Sequence, residues 1–184
     1  MSIDRLKRQF DIDVNWVFFP LHPETPMEGK TLEALFPGRD LTPMRERMRG
    51  LMQEAGLPYG ERTHTYNSRL AQELAKWAET RLASESVDLL HRKLYEAYFV
   101  DGKNIADHDV LVALAESVNL EPNEVREVLQ SRSFEAEVDS DWQLAYEQGI
   151  SGVPTFSAKD MVVVGCQPYE TLEKFVLHLQ SLED

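Results

Sequence analysis

The chain has 184 residues, of which 42% are hydrophobic and 28% charged, and it carries a net charge of -13 at pH 7. That length suits one domain with a substantial core, or one domain carrying an insertion, and the composition excludes wholesale disorder. The acidic excess repels phosphate backbones and anionic membranes, and the one cysteine, Cys166, excludes an intrachain disulfide or a cysteine-based zinc cluster.

No apolar span reaches membrane length and no signal-like segment is present, so the expected location is the cytoplasm, with no nucleic-acid and no membrane partner. The histidines His22, His64, His91, His108 and His178 are scattered without metal-ligand spacing. They read as surface or half-buried polar side chains, and no metal or cofactor is expected.

In chain order, Ser2 to Phe10 places Ile3, Leu6 and Phe10 at helical spacing among basic residues and predicts a short amphipathic helix. "DVNWVFFP" is rich in Val, Phe and Trp and stops at Pro20, which predicts a strand from about Asp13 to Phe19 buried on both faces. Trp16, Phe18 and Phe19 are then core side chains rather than an aromatic binding platform. A loop punctuated by Pro23, Pro26 and Gly29 follows.

From Thr31 to Gln148 the pattern is almost wholly helical. "TPMRERMRGLMQEAG" has Thr42 as N-cap, Pro43 at the first helical position and Gly56 just past the end. The next two helices carry Leu70, Leu74, Trp77 and Ala78, then Leu90, Leu94 and Tyr98, with Gly102 closing the second. Further helices are predicted in "DHDVLVALAESVNL", after Pro122, and up to Gly149. Glu46, Glu73, Glu79 and Glu85 read as a solvated helical surface.

After Gly149, Thr155–Ala158 and Met161–Val164 flank the pair Lys159-Asp160, which suits a two-residue antiparallel hairpin. The last helix follows Pro168 at its first position and puts Leu172, Phe175, Val176 and Leu179 on one face. The first hairpin strand is preceded by a proline, in "GVPTF" at Gly152–Phe156. Proline has no backbone N–H, so at a strand start it is tolerated on an edge or at a special opening, often with a cis peptide. This segment therefore points to a site.

An α-β arm and a β-β-α arm, separated by a helical block and with a proline opening the second arm, resemble the thioredoxin fold with the insertion of its DsbA-like branch. The wording is more specific: "FFPLHPETP", "YNSRLAQELAKWA", "LYEAYFVDGKNIADHDVLVALAESVNL" and "GISGVPTF...VVVGCQPYETL" resemble the FrnE-type DsbA-family oxidoreductases over nearly the whole length. These are dithiol-disulfide isomerases named from polyketide biosynthesis. The resemblance implies an α/β class, with residues 1–36 as the N-terminal part of a thioredoxin-like domain, 37–148 as the helical insertion and 149–184 as the C-terminal ββα part.

In that family a C-x-x-C pair opens the helix after the first strand, where the helix dipole lowers the thiol pKa. A cis-proline loop faces the dithiol and offers backbone to an extended substrate segment. The resemblance thus implies Pro154 as the cis-proline, Val153 as the backbone contact, Thr155 beside it, and His22 and Asn67 as candidates to line the groove. For Asn67 a loop or N-cap role competes. "SIDRLKRQF" would be the tail of the active-site helix, so this chain lacks the dithiol and no catalytic residue is assigned.

The expectation is that the sequence is truncated and that the first strand and redox motif lie upstream of Met1. Removing that strand would orphan roughly five or six residues' worth of ladder partners and expose apolar surface at about 25 cal/mol per Å². Such a monomer should be unstable, and a homodimer covering the open edges is one remedy. Cys166, near a helix N-terminus, has two readings, a reactive thiol or a passive half-buried one; the second is favoured.

The leading function is thiol-disulfide oxidoreductase or isomerase, acting on a protein or a small-thiol or disulfide substrate, with this polypeptide inactive by itself. One alternative is a redox-silent, chaperone-like peptide-binding protein. Another is a relative of the glutathione-dependent 2-hydroxychromene-carboxylate isomerases and kappa-class transferases.

Overall fold

A computed structural model describes residues 2–182. In chain order its elements are α1 (Ser2–Gln9), β1 (Lys30–Thr31), α2 (Leu32–Leu35), α3 (Thr42–Glu54), β2 (His64–Thr65), α4 (Arg69–Glu79), α5 (Ser84–Phe99), α6 (His108–Glu116), α7 (Pro122–Ser131), α8 (Glu135–Glu147), β3 (Thr155–Ala158), β4 (Met161–Val164) and α9 (Tyr169–Gln180). They divide into two compact units, Met1–Leu21 with Asp141–Asp184, and His22–Ser140. The two units meet in sequence after residues 21 and 140. Lys30–Thr31 pairs antiparallel with His64–Thr65, which ties the segment after residue 22 to the helical unit. The Phe18 N–H donates to Asp141 Oδ2 at 2.9 Å, which ties the second half of α8 to the first unit.

The first unit is built on the contact of α1 with α9. Leu6, Tyr169, Leu172 and Val176 are buried together, with Ile3, Phe10, Ile12, Phe156 and Val163 packed around them. Among them Ile3, Leu6, Phe10, Leu172 and Val176 are positions whose spacing predicted the two helices. The Arg5 guanidinium stacks over the Tyr169 ring, 3.6 Å from its centroid, and the Tyr169 hydroxyl bonds to the Gln9 side chain. The hairpin has the predicted limits, and Lys159 in its turn takes a φ of 52°. Pro168 stands one place earlier than predicted, as the N-cap of α9.

The predicted strand at Asp13–Phe19 does not form: residues 11–20 are neither helix nor strand. Trp16 and Val17 are 43% and 45% exposed, and Phe18 and Phe19 are only half-buried, so the reading of these aromatics as core is overturned. A strand needs ladder partners on the neighbouring backbone, and neither of the two ladders among the described residues includes this segment; the Phe18 N–H is taken by a carboxylate instead.

In the second unit α4 is the central helix. Leu70, Leu74, Trp77 and Ala78 are buried as predicted and meet Leu90 of α5, Leu111 and Ala115 of α6, and Val125 and Leu129 of α7. The helix starts are chemically explicit. Asp107 accepts from the Asp109 and Val110 N–H groups ahead of α6, at 2.8 and 3.2 Å, and Pro122 occupies the first turn of α7. Thr42 is the first residue of α3 rather than its cap, and its N–H donates to Asp40. The short helix α2, which Thr31 caps through its hydroxyl, and the small β1–β2 ladder lie in the block predicted as almost wholly helical, and the ladder is a non-helical exception.

Glu73 corrects the reading of a solvated acidic face. Glu46, Glu79 and Glu85 are exposed, but Glu73 is 1% exposed. Its carboxylate accepts from Arg69 Nε at 2.8 Å and from Arg132 Nε and Nη2 at 2.7 and 2.6 Å. Arg69 also donates to Asp139 and to the Glu135 carbonyl. A buried carboxylate needs such partners to offset its lost hydration, and here they fasten α4 to the end of α7 and the start of α8.

Candidate functional site

The site suggested by "GVPTF" is a loop of the first unit. Gly152, Val153 and Pro154 lead into β3, and the Val153–Pro154 peptide bond is cis. The Thr155 hydroxyl donates to the Gly152 carbonyl at 2.7 Å and closes the loop on itself.

The ladder explains why proline is tolerated here. The Gly165 N–H donates to the Pro154 carbonyl at 2.8 Å, and Thr155 stands opposite Val164 and Phe156 opposite Val163. Hydrogen-bonded and non-bonded pairs alternate in an antiparallel ladder, so position 154 faces β4 at the terminal rung. The N–H that proline lacks removes one bond at the end of the ladder and none within it. By the same alternation the backbone groups of Thr155 and Ser157 point away from β4, along the open edge of β3.

Val153 continues that edge. It is 50% exposed, and among the described residues its backbone N–H and C=O make no hydrogen bond. The face shared by Thr155, Ser157, Val162 and Val164 lies opposite Phe156 and Val163, and Val162 and Val164 are 51% and 59% exposed. No charged residue occurs in 149–158 or 161–168. The arrangement can accept an extended backbone with apolar side chains by strand addition.

The other candidate residues are placed as follows. His22 and Asn67 belong to the second unit. His22 is exposed, with Nδ1 3.8 Å from Glu24 Oε1. Asn67 is a structural clip: its Nδ2 donates to the Pro23 and Thr25 carbonyls at 3.3 and 2.7 Å, and its Oδ1 accepts from the Arg69 N–H at 2.8 Å. Cys166 is exposed, which corrects the expectation of a half-buried thiol; it follows Gly165 in the turn between β4 and α9. Among the described residues no group of three or more His, Cys, Asp or Glu side chains is arranged to hold a metal, and no helix is long and apolar enough to cross a membrane.

Sequence reasoning missed Gly165, whose N–H holds the Pro154 carbonyl and whose φ of 88° makes the turn after β4. A glycine directly after a valine run was the available signal.

Comparison with known proteins gives the following similarities. Residues 1–177 match the family described as DSBA-like thioredoxin domain. The chain is similar to the uncharacterized protein YwbO of Bacillus subtilis (strain 168), 32% identical over 85 residues, covering 46% of this chain and 42% of YwbO. It is also similar to the ClpXP adapter protein SpxH of the same organism, 28% identical over 95 residues, covering 48% of this chain and 32% of SpxH. The matched stretches thus span less than half of either relative. Among solved structures, a probable DsbA oxidoreductase from Streptomyces coelicolor superposes with a TM-score of 0.86 at 23% identity, over 98% of this chain and 82% of that one.

Proposed function

The chain belongs to the DSBA-like thioredoxin domain family and has that fold with a helical insertion, and from this premise we propose that it is a FrnE-type member whose Gly152–Thr155 loop docks an extended segment of a protein substrate for thiol-disulfide exchange. The observation that supports this is Val153, half exposed, with backbone donor and acceptor uncommitted among the described residues at the open edge of β3. Strand addition uses those two groups for affinity and neighbouring side chains for selection.

Exchange itself needs two thiols. One thiolate attacks a substrate disulfide and expels a substrate thiolate, and a second must attack the mixed disulfide to release the reduced product. With Cys166 as its one cysteine, this polypeptide can form a mixed disulfide but cannot resolve it internally. Docking is therefore the half of the function that these residues carry. In an insulin-reduction assay driven by dithiothreitol, the polypeptide is expected to add nothing to the rate with reductant alone, and Cys166→Ser is expected to behave identically. Acceleration that survives Cys166→Ser would refute this division of labour.

A second reading, a redox-silent binding protein, is favoured by the single cysteine and by the similarity to a relative named as an adapter protein. It makes the same prediction for insulin reduction. It differs in expecting the polypeptide to keep a thiol-blocked unfolded protein from aggregating.

A further inference from the structure

Helix α3 has no buried residue along its whole length, Thr42–Glu54. A helix this short is marginal in water without an apolar face to bury. It has such a face: Met44, Met48, Leu51 and Met52 recur at i, i+4, i+7 and i+8 and share one side. Met44 and Leu51 are 42% and 44% exposed, and Met48 and Met52 are half-buried. Three of the chain's six methionines lie on this stripe, and flexible thioether side chains suit surfaces that adapt to a bound partner.

The charges around the stripe say what that partner presents. Going around the helix, Arg47 borders the apolar face on one side, with Glu54 beyond it, and Arg45 and Arg49 border the other. Arg45 reaches Glu33 at 3.2 Å and Arg49 reaches Glu61 at 3.0 Å, but those glutamates are 66% and 85% exposed. Exposed pairs of this kind hold weakly and can exchange partners. Arg47 is exposed and among the described residues has no ion-pair partner. In a chain of net charge -13, an apolar ridge bracketed by arginines selects against basic and for acidic surfaces. A second copy of α3 would set arginine against arginine, and an anionic membrane would meet the repulsion of the whole acidic chain.

We propose that the Met44–Met48–Leu51–Met52 face of α3 is a docking surface for an acidic amphipathic helix of a partner protein. Leucines on the partner would pack against the methionine stripe, and glutamates on its flanks would meet Arg47 on one side and Arg45 and Arg49 on the other. The anchors of α3 need not move, since the Tyr95 hydroxyl holds Met52 Sδ at 3.3 Å and the Leu57 N–H holds the Met52 carbonyl at 2.9 Å.

The probe is a fluorescent designed peptide with leucines at i, i+3, i+4 and i+7 flanked by glutamates, titrated by anisotropy against the full chain. The expected result is saturable binding that weakens with salt, with about tenfold lower affinity for a version flanked by lysines. Arg47→Glu and Met44→Ser should each weaken binding about tenfold, whereas Gln53→Ala, on the far side of α3, should not. With no buried side chain in α3, these variants should keep the wild-type circular dichroism and melting curve. The proposal is overturned if the glutamate peptide does not bind, if the lysine peptide binds equally, or if Arg47→Glu leaves binding intact. It is overturned equally if the surface proves to be occupied by phosphatidylserine vesicles, or by a second copy in a dimer that Met44→Ser dissolves.

Discussion

Glu73→Ala is expected to destabilise the helical unit by about 3 kcal/mol, the low end for breaking a buried ion pair, because it removes the buried carboxylate and leaves two arginines with the exposed carboxylates of Asp139 and Glu135 as ionic partners. Arg69 is 12% exposed and cannot turn to water without losing its bonds to Glu135 and Asp139. Arg132 would lose both of its bonds to the carboxylate. Its guanidinium is held above its ordinary pKa first of all by the hydrogen bond to Glu73, with burial pulling the other way; without Glu73 it is still charged, as arginine is in any protein setting, and among the described residues keeps only the half-exposed Glu135 carboxylate at 3.3 Å as an ion-pair partner. A loss of this size is a large share of the roughly 5–15 kcal/mol that holds a domain folded. Urea unfolding followed by circular dichroism measures it. Glu73→Gln should fall between wild type and Glu73→Ala, and replacing Glu73, Arg69 and Arg132 together by apolar residues should cost less than Glu73→Ala alone.

Gly60→Ala is the second large effect. The Gly60 N–H donates to the Phe99 carbonyl at 2.9 Å, at the end of α5. A Cβ at Gly60 would overlap the Val100 carbonyl oxygen and come within 2.8 Å of its carbon. Those atoms are backbone at the C-cap of α5 and cannot swing aside as a side chain can. Next to them the Arg62 guanidinium lies over the Tyr98 and Phe99 rings, 4.6 and 5.3 Å from their centroids. Forcing the two segments apart is expected to cost about 2–3 kcal/mol, at the upper end of overpacking penalties. Gly50→Ala in α3 is the matched control, since nothing lies within 4 Å of its Cβ position. There the better helix propensity of alanine should raise stability by up to about 1 kcal/mol. Melting curves of the two variants should therefore move in opposite directions.

Both effects depend on partners far away in sequence, and that is where sequence reading stopped. The helices and the hairpin were legible because their signals are local: apolar spacing in α4 and α9, Pro122 at the start of α7, Gly102 after α5, and Lys159-Asp160 between two apolar strands. Glu73 looked like one more surface glutamate because its i, i+4 partner Arg69 is an ordinary helix pair, whereas Arg132 lies 59 positions on. The run of Val, Phe and Trp before Pro20 has strong strand propensity, but propensity supplies no ladder partner, and the segment stays irregular.

The candidate site was legible in part, and for a clear reason. Proline before a strand is a local anomaly, so "GVPTF" stood out. The alternation that sends the Pro154 carbonyl to Gly165 and the Thr155 and Ser157 backbone outward requires the register of β3 against β4. Asn67 could have been a groove or a loop residue by sequence, and its three hydrogen bonds make it a clip between the Pro23–Thr25 loop and the start of α4.

Docking at the Val153–Thr155 edge is the central claim, and an amide NMR titration with reduced, carboxymethylated insulin B chain tests it without thiol chemistry. The expected result is saturable shifts at the Val153, Thr155 and Ser157 amides, with the amides of Lys174 and Leu177 on the outer side of α9 unmoved. Saturable binding that leaves Val153, Thr155 and Ser157 unshifted would contradict it.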